Sequence, residues 1–142
     1  MDLLSVGATG LRRELLTNPQ LVALLPDENG KTKVYFEAAE GLADPPYVLM
    51  HHIWGGDMNE APSETFDMLW RVDAIAENLV DARNMLTLAY DTVKGSELNY
   101  PDGWSAWSKI TSNGNYLEQV VVQGKQYWAI GFFARLRGSK PA

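Results

Sequence analysis

From Ser5 to Leu25 the apolar positions Leu11, Leu15, Leu16, Leu21, Leu24 and Leu25 recur mostly at helical spacing, with Arg12, Arg13 and Glu14 between them. Asn18-Pro19 interrupts the pattern. Asn caps well and Pro is favoured in a first turn, so the pattern predicts one helix to about Leu16 and a short second one from Pro19 to Leu25. Pro26 to Gly30 reads as the turn that ends it. Val34-Tyr35-Phe36 is a short β-prone run, and Glu37 to Pro46, with Gly41, Asp44, Pro45 and Pro46, is an irregular loop. Pro46 then opens a strand from Tyr47 to Trp54, which Gly55-Gly56-Asp57 is expected to close.

Thr65 to Ala76 alternates. Phe66, Met68, Trp70, Val72, Ala74 and Ala76 fall on one face, Thr65, Asp67, Arg71 and Asp73 on the other, which predicts a half-buried strand. After Glu77 the period becomes 3.6: Leu79, Ala82, Met85, Leu86, Ala89, Tyr90 and Val93 form the stripe of an amphipathic helix that Lys94-Gly95 stops. The remainder reads as three strands: Trp104 to Thr111, Tyr116 to Gln123, and Gln126 to Arg137. Asn113-Gly114 and Gly124-Lys125 supply the turns of an antiparallel meander. Helix, strands, helix, strands in that order, with turns too short for parallel crossovers, predict an α+β fold: a mostly antiparallel sheet with helices packed on one face.

A chain of 142 residues suits a single domain, 1–142, around one core. The absence of cysteine excludes disulfides, thiolate metal sites and a Cys nucleophile, and suits a reducing compartment. Neither a signal-peptide pattern nor an apolar run of membrane-span length is present, so a cytosolic protein without a membrane partner is expected. Eighteen acidic against twelve basic side chains give a formal charge of −6, which disfavours long-range attraction to phosphate backbones. Arg135, Arg137 and Lys140 form a local cationic cluster, read as a solvated terminus.

Candidate chemistry is sparse. The two histidines, His51 and His52, are adjacent in a predicted strand, so their side chains point to opposite faces and cannot chelate one ion together. A metal would need one of them with remote acids such as Asp57 or Glu60. Gly55-Gly56 lacks the following Lys or Ser of a phosphate cradle, and no Ser sits in a nucleophile elbow. The acids fall in turns or on polar faces, where a solvated role is the ordinary one. Neither catalytic residues, nor a metal, nor a cofactor is therefore expected. Two surfaces stand out instead. The segment Gly55 to Glu64, with Gly55, Gly56, Asp57, Met58, Asn59 and Glu60, is longer than a strand connection needs. Trp104 and Trp107, three apart in a predicted strand, face opposite ways, which sends one into the core and leaves the other for solvent, a ligand or a neighbouring subunit.

The Leu-rich N-terminal helix ending in Leu24-Leu25-Pro26, the entry Asp44-Pro45-Pro46-Tyr47-Val48-Leu49, the strand and Ala/Leu helix after it, and the aromatic last strand Tyr127 to Leu136 follow one another in a familiar order. This layout resembles the tail terminator or tail completion proteins of long-tailed double-stranded DNA bacteriophages. The Trp104–Trp107 segment and the stretch from Gly95 to Gly103 depart from the compact family pattern. The resemblance implies a non-enzymatic virion protein at the head-proximal end of the tail, assembled in the host cytoplasm. It further implies a homo-oligomer, a hexameric ring, that caps the tail tube protein and meets a head-completion or neck protein, with genomic DNA passing through the lumen without specific binding. Two alternatives stand beside it. One is another head-tail connector of the same virion. The other is a small cone-shaped α+β enzyme or ligand-binding domain, in which Trp70, Tyr116 and Trp128 line a pocket and His51 or His52 pairs with Asp73.

Overall fold

Helix α1 spans Leu3–Leu15, and Asp2 starts it by accepting a hydrogen bond from the Ser5 amide. Asn18 caps α2 (Pro19–Leu24) by accepting from the amides of Gln20 and Leu21. Its side-chain nitrogen also donates to Thr92 Oγ1 at 2.9 Å, tying the cap to α3 (Leu79–Val93). Asn78 caps α3 through the Asp81 amide. The computed structural model describes residues 2–25, 32–37, 44–58, 64–95 and 97–140.

The strands are β1 (Val34–Phe36), β2 (Tyr47–Asp57), β3 (Glu64–Ala76), β4 (Glu97–Asn99), β5 (Ser105–Val122) and β6 (Lys125–Lys140). They form one six-stranded sheet in the order β1-β2-β3-β6-β5-β4. Only β1, paired with β2, is parallel to its neighbour; the other pairs are antiparallel. This is an α+β fold, as the element order predicts.

Period-two alternation decides which side chains meet the helices. On β3 the residues Phe66, Met68, Trp70 and Val72, and on β6 Phe132, Ala134 and Leu136, are buried against Leu11 and Leu15 of α1, Leu21 of α2 and Met85 and Ala89 of α3. Burial of each large apolar side chain here contributes about 1.5–3 kcal/mol. Tyr100, just before a short 3-10 turn (Pro101–Gly103), closes one end of this core. Its hydroxyl donates to Glu14 Oε2 at 3.2 Å, and burial, reinforced by the Glu14 charge, pushes the phenol well above its ordinary pKa. Gly10 permits the contact, since a Cβ there would lie 2.2 Å from the Tyr100 ring.

Three expectations differ from the structure. The predicted hairpin at Asn113-Gly114 does not form: β5 runs through it as one strand, and register shifts at Ile110/Ser112 and Asn113/Tyr116 absorb the extra residues as bulges. The reason is that β6 is long and continuous, so pairing to it on both sides of the irregularity outweighs a local turn signal. The hairpin that does form turns at Gln123-Gly124, both in the left-handed region that a two-residue turn requires. Second, β2 does not stop at Trp54. It bulges between His52 and Trp54 and continues to Asp57, which shortens the predicted Gly55–Glu64 loop at its start. Third, Asp67 and Asp73 are buried, not solvated.

Candidate interaction surface

The face of the sheet away from the helices is divided. At one end Tyr35, Tyr47, Ile75, Tyr127 and Ala129 bury one another, with Leu49, Val120 and Val122 packed against them. At the other end the same face carries charge and exposed aromatics.

Asp67 is the centre of that second region. It points away from the helices on β3, opposite Arg137 on β6. Arg135 grips it with two hydrogen bonds, Nε to Oδ1 at 2.8 Å and Nη2 to Oδ2 at 2.5 Å, a bidentate fork matched to a carboxylate. Arg137 Nε lies 3.7 Å from the same Oδ2. These contacts, the Arg135 hydrogen bond foremost, hold the Asp67 carboxyl below its ordinary value. Each guanidinium also covers an indole: Arg135 lies 5.8 Å from the Trp54 ring centre and Arg137 5.9 Å from that of Trp107. Both indoles remain more than 40 % exposed. One buried carboxylate thus fixes two arginines, and each arginine fixes a half-exposed tryptophan. These residue types dominate binding energy at protein interfaces, and their prior fixation lowers the ordering cost of docking.

The predicted surface residues are distributed unevenly around this cluster. Met58, directly after β2, and Trp107 line one cleft of about 240 Å³ with Arg137 and Ser139. Gly55 has a backbone role: its φ is +101°, and a Cβ there would lie 2.0 Å from the Asp67 carbonyl oxygen. Gly56 and Asp57 pair as strand residues with Asp67 and Phe66. Trp104 is buried on the helical side, its ring 5.2 Å from that of Phe66. Asn59 and Glu60 lie outside the described residues. Sequence reasoning missed Trp54, Asp67 and Arg135, which the structure brings together on this face. It also read Arg135, Arg137 and Lys140 as a solvated terminus, whereas Arg135 and Arg137 engage Asp67 and β6 runs on to Lys140.

The histidines face opposite ways, as their adjacency in a strand requires. On the open face, His51 Nε2 lies 3.4 Å from Asp73 Oδ2 and its Nδ1 3.7 Å from Glu37 Oε2. Arg71 Nε donates to the same Asp73 oxygen at 3.0 Å. His52 meets the edge of Trp70 on the helical side, with its Nε2 2.9 Å from the Gly55 carbonyl oxygen. Trp70 is fully buried in the helical core, on the face opposite His51 and Asp73. The imagined pocket therefore separates from its acid–base pair; the Tyr116 side chain lies outside the described residues. Among the described residues, no three His, Asp or Glu side chains converge on a metal-sized site, and no helix is long and apolar enough to cross a membrane.

Neither protein-family models nor curated proteins match this chain. Among solved structures it is similar to a chain of the virion of a native gene transfer agent (GTA) particle, with 16% identity and a TM-score of 0.70. The match covers 96% of this chain and 97% of that one, so the two share one fold over nearly their whole length.

Proposed function

We propose that this chain is a structural subunit of a phage-like particle, a tail terminator that closes the tail tube as a ring and presents a surface to the neck. The observation that carries this reading is the end-to-end fold match to a chain of a GTA virion, with few residues left over on either side. The open sheet face supports it. A ring subunit needs two different patches that are complementary to each other, and two half-exposed tryptophans fixed by arginines supply the residue types of one. Its partners in this reading are further copies of itself, the tail tube protein and a head-completion protein. DNA traverses the lumen without being gripped, which agrees with a formal charge of −6. Another neck position would use the same surfaces and is separated from this one by location in the particle.

A catalytic role draws less support. Trp70, which would line the pocket of a cone-shaped enzyme, is packed into a filled core. The test is assembly: native mass measurement and negative-stain microscopy of the purified chain, alone and with tail tubes. Rings, six-membered in the expected case, that sit on tube ends support the reading. A strictly monomeric chain that ignores tube ends would sink it.

A further inference from the structure

Trp107 is a ridge between two clefts. On one side lie Met58 and Arg137; on the other, past the end of the short strand β4, lie Tyr90, Lys94 and Lys109. Lys109 is also the cross-strand neighbour of Arg135. Lys109, Arg135 and Arg137 thus gather on the open face beside one exposed indole, with the Asp67 carboxylate held by the two arginines, and Lys94 lines the cleft beyond Trp107. The chain as a whole is acidic, so the remainder of the molecule carries more negative charge than the total. A cationic, aromatic end on an otherwise acidic chain is complementary to another copy of that chain.

The opposite end of β3 offers a counterpart. There a cleft of about 260 Å³ is lined by Leu24, Ala76, Glu77, Asp81 and Met85. Leu24 and the neighbouring Val80 are exposed, at 42% and 67%. β3 has 13 residues, which at about 3.3 Å each sets the two patches about 40 Å apart. Different patches at opposite ends of a subunit give head-to-tail contacts, which close into rings when the rotation allows.

We infer that the Trp107 ridge with Arg137 and Lys109 docks onto the Leu24–Asp81 cleft of the next copy, forming the repeated contact of the ring. This inference rests on the ring reading above and names its two surfaces. The indole fills the apolar cleft, and the cations lie beside Asp81 of the neighbour, whose Glu77 is already paired with its own Lys125 at 2.9 Å.

The experiment uses native mass spectrometry on three full-length proteins: the wild type, a face variant (K109E with R137E) and a cleft variant (L24N with V80N). The wild type assembles into rings. Each variant alone is monomeric, because each lacks one half of every contact. Mixed in equal amounts, they give one-to-one heterodimers and no rings, since the intact cleft of the first meets the intact face of the second once. Trp107→Ser and Val80→Lys, single changes at exposed positions, guard against misfolding of the double variants. Each raises the concentration for half-assembly at least about tenfold. Rings that persist in either double variant, or a mixture that yields no heterodimer, overturn the inference and leave the ring reading standing. A wild type that never oligomerises overturns both.

Discussion

Trp70 and Trp107 lie on β3 and β5, on opposite faces of one sheet, yet Trp70 is fully buried and Trp107 is 41% exposed. The helices make the difference. α1 and α3 seal the face that Trp70 occupies, whereas on the other face Trp107 lies beneath Arg137 at the rim of two clefts. The comparison teaches that alternation assigns a side chain to a face, and that cover decides whether it stabilises the fold or remains available for contact.

The largest test of this comparison is Trp70→Ala. Removing an indole from a filled core is expected to cost about 3–5 kcal/mol, read from denaturant unfolding. A loss below about 1 kcal/mol would show that the helical face is not sealed. Next is Gly131→Ala on the open face, where a Cβ would lie 2.2 Å from Asp73 Oδ1 and 2.9 Å from the Val72 carbonyl oxygen. Overpacking there is expected to cost about 1–3 kcal/mol, so this face too has a tightly built part. An unchanged unfolding midpoint would mean that Asp73 moves freely.

Asp67→Asn tests the arginine clamp through pH. The folded carboxyl titrates below its ordinary value near 3.8, so its contribution is full above that value and is lost as pH falls through the lower folded value. The variant should therefore melt a few degrees below wild type at neutral pH, with the gap closing in acid. A gap independent of pH would assign the loss to shape and not to charge. The smallest effect on folding is expected for Trp107→Ala, within about 0.5 kcal/mol, because the indole is already half in water. The same change should weaken assembly, and stability and assembly moving together would erase the distinction between the two faces.

Much of this was legible in the one-dimensional pattern. The alternation from Phe66 to Ala76 marked the core face of β3, and the stripe from Leu79 to Val93 marked the buried side of α3, because each period is local and each face is uniformly apolar. Asn18 and Pro19 announced the start of α2. The failures have a common cause. Asn113-Gly114 carries a hairpin signal, but whether a turn forms depends on the strand alongside, and β6 holds β5 in register past it. The surface proposed for contact was half visible: Met58 and Trp107 were singled out, while Trp54, Asp67 and Arg135 were not.

The sequence by itself determined the helices, most of the strands and their order, the α+β class and the side of each that turns inward, since these follow from periodicity, caps and turn chemistry between near neighbours. Tertiary structure alone decided that Arg135, 68 residues from Asp67, would grip it. It alone decided that two indoles far apart in sequence would flank that pair, and that Trp104 would be buried while Trp107 stayed in water. The physical reason is strand register. Pairing β3 with β6 brings distant side chains within hydrogen-bond reach, and a shift of one residue would send every one of them to the other face.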